Sequence, residues 1–162
     1  MNYAKLTPKV AAVLVDHPDW TDQQVADELN AATVTQTYSR FVTFRTVLSE
    51  LPTTQAMSII GKVKANAVVD AEAPAELQAI QAVLAEVLPS LTDTAEGCGI
   101  DMQNANARGL VDSLVTAGVL TSDEGAAVKG MAERLVSWAA SEGLPEITDG
   151  HIGSARIYLE AE

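Results

Sequence analysis

Residues 109–124, Gly109-Leu-Val-Asp-Ser-Leu-Val-Thr-Ala-Gly-Val-Leu-Thr-Ser-Asp-Glu124, decide the fold class. Leu110, Val111, Leu114 and Val115 recur at helical spacing and give one apolar face. Gly118 comes next as a left-handed stop, which a residue without Cβ adopts at no steric cost. Thr121-Ser-Asp-Glu124 then reads as a capping box opening another helix, with Val128, Met131, Ala132 and Leu135 continuing the period. The stretch predicts an αα-hairpin. Gly125 and Gly130 inside its second helix cost roughly 1 kcal/mol each relative to Ala and read either as close approach of another backbone or as simple drift.

Composition agrees with helices. Of 162 residues, 48% are hydrophobic but only 4% aromatic, so the core must come from Ala, Val, Leu, Ile and Met. Such side chains suit close helix packing better than a sandwich. The expectation is an all-α protein, a compact bundle of short helices and αα-hairpins, with an irregular or extended segment at 33–46. Residues 1–50 are expected to form an N-terminal helical hairpin plus the Thr-rich segment, and 51–162 the main acidic bundle. A single domain over 1–162 is the other reading.

Local signals place the remaining elements. Thr7-Pro8 reads as a helix start and His17-Pro18 as its end. Thr21-Asp-Gln-Gln24 is a capping box for a helix over about 22–31, with Trp20 placed to pack on Val25. Residues 33–46 hold five threonines among Val34, Tyr38, Phe41 and Phe44; an extended entry and a short helix from about Thr43 are expected. Met57, Ile60, Val63, Ala67 and Val68 mark a helix from Thr53 to about Ala71. Leu77, Ile80, Leu84, Val87 and Leu88 mark the next, stopped by Pro89. Residues 89–101, with Gly97 and Gly99 beside Cys98, read as a flexible connection in which Asp101 caps the next helix. Ser137 and Thr148 start two last short helices, and Ile157, Tyr158 and Leu159 form an apolar tail that packs back as a strand or docks on a neighbour.

Charge excludes several function classes. There are 10 basic and 22 acidic residues, net −12, and residues 51–162 carry six basic against sixteen acidic. Phosphate recognition needs clustered Lys or Arg, and none is present, so nucleic acid and anionic membranes are disfavoured as partners. No apolar run reaches the ~20 residues of a membrane span, and no signal-peptide pattern opens the chain. The lone Cys98 offers no disulfide.

Chemistry has no residue set to stand on. His17, His151 and Cys98 are too dispersed in sequence for ligand spacing, so no metal is expected and no cofactor. Gly61-Lys62 lacks the rest of a phosphate loop. The acid pairs Asp27-Glu28 and Asp123-Glu124 sit in the first turns or on the outer faces of helices, where they complement the dipole. The expectation is a protein that is not an enzyme. Thr21-Asp-Gln-Gln-Val-Ala-Asp-Glu-Leu-Asn30 with Tyr38-Ser-Arg-Phe also resembles the middle of a helix-turn-helix, in which Arg40 and Arg45 would be the reading cations.

The order of segments resembles a group of small acidic helical proteins encoded by tailed bacteriophages and prophages. It is carried by 21–30, by Gly-Val-Leu-Thr-Ser-Asp-Glu (118–124) and by Ser-Trp-Ala-Ala-Ser-Glu-Gly-Leu-Pro-Glu-Ile-Thr-Asp-Gly-His-Ile-Gly-Ser-Ala-Arg (137–156). The group has Arg after the serine where this chain has Trp138, so no role of that arginine carries over, and 33–46 match poorly. The resemblance implies a virion or assembly protein, made in the bacterial host cytoplasm and partnered by other phage structural proteins or copies of itself. It implies no catalytic residues. Expected contact residues are Tyr38, Arg40, Phe41, Phe44 and Arg45 in the odd segment and Ile157, Tyr158 and Leu159 in the tail. An acidic inhibitor or charge mimic for a basic host protein is the second expectation, and a helix-turn-helix regulator the third.

Overall fold

The computed structural model describes residues 1–93, 95 and 97–161 and is mostly helical, with 62% helix and 9% strand. The chain opens with α1 (Tyr3–Asp16) and α2 (Asp22–Asn30), then β1 (Ala32–Thr37) and β2 (Phe41–Val42). Next come α3 (Phe44–Glu50), α4 (Thr53–Ala65) and α5 (Ala75–Thr92). The short β3 (Ile100–Asp101) precedes α6 (Ala105–Thr116) and α7 (Ser122–Gly130). It closes with β4 (Glu133–Ser137), the single turn α8 (Trp138–Ser141) and α9 (Asp149–Glu160). The all-α expectation is thus amended by two small sheets, β1 with β4 and β2 with β3, the latter antiparallel with Phe41 opposite Asp101.

Packing divides the chain elsewhere than at residue 50. One compact unit joins Met1–Gln36 to Leu135–Glu162, and the other is Thr37–Arg134. Each has its own core.

In the Thr37–Arg134 unit the α6–α7 hairpin forms as its sequence dictates. Gly118 has φ +72°, and the N–H groups of Val119 and Leu120 both donate to the Leu114 carbonyl, which closes α6. Val119 and Leu120 enter the core with Val111, Leu114 and Val128. Thr121 and Glu124 exchange their capping bonds, 2.8 and 3.2 Å. A Cβ at Gly125 would stand 2.5 Å from Val115 Cγ2, so here the glycine lets α7 close on α6. Gly125→Ala is expected to destabilise by about 1–2 kcal/mol despite alanine's better helix propensity. Gly130→Ala, with nothing within 4 Å, is expected to be neutral or stabilising. Thermal melts of the two variants check the pair.

The Met1–Gln36/Leu135–Glu162 unit packs α9 against α1 and α2. Leu6 and Val10 of α1 meet Val25 and Leu29 of α2 and Ile152 and Ala155 of α9 in one core. The Asn30 side chain clamps the approach to α9, donating to the Ile147 carbonyl at 2.7 Å and accepting its N–H at 3.0 Å. Thr21 and Gln24 form the expected capping box, and Ser137 caps α8 by accepting from Ala140 N–H.

Several expectations need correction. Helix α1 begins at Tyr3 and runs through Pro8, and α5 runs through Pro89 to Thr92; both prolines are exposed, and Pro89 lies in the last turn of its helix. Helix α4 stops at Ala65, so Val68 lies beyond it, 72% exposed, while Met57 within it is on the solvent side, 57% exposed. Asp101 does not cap α6; Asn104 does, accepting from Asn106 N–H. Of the 89–101 connection, Thr94 and Glu96 lie outside the described residues, and Ile100–Asp101 are paired as β3. Helix α7 ends at Gly130, because the Met131 and Ala132 carbonyls are taken by Tyr38 and Arg40 from a distant part of the chain. Leu135 therefore lies in β4, 63% exposed. The apolar tail is no strand but the last turn of α9.

Candidate contact surfaces

Residues 33–46 prove to be mainly structural. Arg40 donates from Nη1 to the Met131 carbonyl (2.7 Å) and to the Tyr38 hydroxyl (3.1 Å), and from Nη2 to Glu50. Tyr38 itself donates to the Met131 carbonyl, and the Arg134 guanidinium stands 5.5 Å over its ring. Both side chains finish the C-terminal end of α7, where helix carbonyls lack internal partners. Asp101 secures the same segment, accepting from Ser39 Oγ and Arg40 N–H. The Gln103 N–H, with smaller help from Arg40 and Ser39 and against a burial cost, holds its carboxyl below the ordinary value. Phe44 is a core residue, its ring 5.3 Å from the Lys64 ammonium. Of the five expected contact residues here, only Phe41, 48% exposed, and Arg45 stand open to a partner.

The spacing of elements here differs from that of a helix-turn-helix. That motif joins its helices by a turn of three or four residues. Here residues 31–43, including β1 and β2, separate α2 from α3.

The tail residues do meet a surface. On α9, Ile157 and Tyr158 are 69% and 54% exposed, while Leu159 is half-buried against the core. The Tyr158 ring lies 5.3 Å from that of Tyr3, so the end of α9 sits beside the start of α1. Between them runs an open groove of about 430 Å³ lined by Tyr3, Ala4, Thr7, Pro8, Tyr158 and Leu159. Farther along α1, exposed Ala12 and Val15 continue the stripe begun by Ala4 and Pro8. Val15 is 81% exposed. The charges beside this face are drawn sideways: Lys5 pairs with Glu142 at 2.9 Å, and the Lys9 ammonium lies 6.0 Å over Trp138. Arg156 Nε lies 2.6 Å from Asp22 Oδ1, an ion pair by distance, although that N–H is not aimed along a hydrogen bond. Its Nη2 donates to the Trp20 carbonyl at 2.6 Å.

What remains is an apolar, uncharged face. The α1 half of it was not legible in the sequence, because Pro8 read as a helix start instead of a surface residue within a helix.

The most polar buried group belongs to folding. Glu124, 7% exposed, accepts from Ser58 Oγ (2.7 Å), from Lys62 Nζ (2.7 and 2.9 Å) and from Thr121 N–H (2.8 Å). Burial opposes its charge, but these donors outweigh it and bring its pKa to about 2. A carboxylate so fully engaged has no lone pair free for a substrate. His151 Nδ1 accepts from Thr148 N–H at the start of α9, and His17 stacks on Trp20 at 3.8 Å. Among the described residues no three of His, Cys, Asp and Glu stand together as metal-holding groups do, and no helix is long and apolar enough to cross a membrane.

Comparison of the chain with protein-family models, with curated proteins and with solved structures gives no match.

Proposed function

We infer that the protein is a non-enzymatic assembly component that works by protein–protein contact. The observation that carries this reading is the apolar face of α1 and α9, where Tyr3, Pro8, Val15, Ile157 and Tyr158 leave contiguous hydrocarbon in water. Surfaces of that kind on a small protein mark interaction sites. The engagement of Glu124, His151 and Arg40 in caps and carbonyl contacts supports the same conclusion, since each has a structural duty. The resemblance of 21–30, 118–124 and 137–156 to small acidic phage proteins gives the setting: a virion or assembly protein of a tailed phage, partnered by other phage structural proteins or by copies of itself. Mass spectrometry of purified particles from cells that encode the chain tests this. The protein is expected to co-purify with the particle, and its absence there sinks the reading.

A further inference from the structure

A second groove, in the Thr37–Arg134 unit, has a different chemistry. It runs between α5 and α6 in two hollows. In the first, of about 510 Å³, Glu76 and Ile80 of α5 face Asp112 of α6 and Ala117 just past its end. In the second, of about 270 Å³, Val83 and Val87 face Leu110, with Asp101 at the end. Positions rise along α5 as they fall along α6, so the helices are antiparallel and the hollows are consecutive lengths of one groove. From residue 76 to 87 it extends about 17 Å at the helical rise, or three turns.

Its floor is hydrocarbon and its ionisable lining is acidic throughout. Ile80, Val87 and Leu110 are half-buried against the core below, and Val83 is 43% exposed. Glu76 lies at one end and Asp101 at the other; no Lys, Arg or His lines either hollow. Asp112 already has Lys129 at 2.5 Å. Helix α5 carries Glu76 and Glu86 but no base over its whole length. Small residues, Ala79 and Ala117, line the groove and let another backbone come close.

We propose that this groove docks one cationic amphipathic helix of a partner protein. The helix spans three turns, seats apolar residues at i, i+3 or i+4 and i+7 on Ile80, Val83 and Leu110, and turns Lys or Arg toward Glu76 and Asp101. A second copy of this chain fits poorly: at net −12 it brings like charge, and none of its described helices carries more than two basic residues. The inference does not rest on the assembly reading above, which concerns a different face.

Two synthetic amphipathic peptides of about four turns, one Leu/Lys and one Leu/Glu with the same apolar positions, test it against the full chain. Binding is read by fluorescence anisotropy and located by methyl NMR. The Leu/Lys peptide is expected to bind, to shift the methyls of Ile80, Val83 and Val87, and to weaken at high salt. Val83→Lys should cut its affinity about tenfold or more, and Ala79→Lys at an exposed position should do the same. Ile157→Lys, on α9 of the Met1–Gln36/Leu135–Glu162 unit, should leave it unchanged. Equal binding of the Leu/Glu peptide, indifference to both lysine variants, methyl shifts centred on Ile157 and Val15, or self-association through the groove would each overturn the proposal. Circular dichroism of both variants confirms that any loss occurs in folded protein.

Discussion

Ile152→Ala is expected to lower the stability of the Met1–Gln36/Leu135–Glu162 unit by about 3–4 kcal/mol, within the range for emptying a fully buried aliphatic site. Ile152 is 0% exposed and sits where α9 meets both α1 and α2. The core around it has nine buried residues, three of them alanines, so little neighbouring side chain is available to refill the space. A loss of that size is a large fraction of a domain's stability. Both tryptophans of the chain, Trp20 and Trp138, pack against this core, so intrinsic tryptophan fluorescence reports on this unit specifically. Denaturant titration should show the fluorescence midpoint falling sharply. An unchanged midpoint would mean that α9 does not close the N-terminal hairpin.

Glu124 provides the second large effect, and it depends on pH. Its folded pKa is about 2 against an ordinary 4.5. Because the folded value is the lower one, the associated stability is complete above about pH 4.5 and drains away as the pH falls toward 2. With allowance for solvent screening at Lys62, whose side chain is 37% exposed, the contribution is on the order of 2 kcal/mol. Glu124→Gln keeps the shape but removes the charge. It is expected to be less stable than the parent by about that amount at neutral pH, with the gap closing in acid. Urea unfolding followed by far-ultraviolet circular dichroism, from neutral pH through the acid range, checks both halves. Parallel decline of parent and variant would show that the buried carboxylate contributes no charge-based stability.

Local features were legible in the sequence because their causes are local. The capping boxes at Thr21 and Thr121, the helix starts near Thr43 and Ser137 and the glycine stop at Gly118 each need only neighbours within a few residues. Where the chain departed from expectation, a distant partner intervened. Met131, Ala132 and Leu135 keep a helical period, yet α7 ends at Gly130 because Tyr38 and Arg40 claim the carbonyls beyond it. The same two residues looked like contact residues, since a charged, aromatic, Thr-rich segment reads as exposed until its partners near 101 and 131 are known. Periodicity identifies an apolar face but not what covers it, so nothing in residues 135–162 announced that they return to residues 1–36. Ile157 and Tyr158 could be picked out as hydrocarbon next to acidic residues. Their neighbours Tyr3, Ala4 and Pro8 could not, because only the antiparallel packing of α1 and α9 brings them together.

The α1/α9 face is best tested by counting the protein in purified particles from cells that encode either the parent chain or an Ile157→Glu, Tyr158→Glu variant. Both positions are more than half exposed, so the variant should fold, and near-ultraviolet circular dichroism verifies it. The expected result is that the parent is present in the particle and the folded variant is lost from it. Equal incorporation of the two, or absence of the parent from the particle, would contradict an assembly role for this surface.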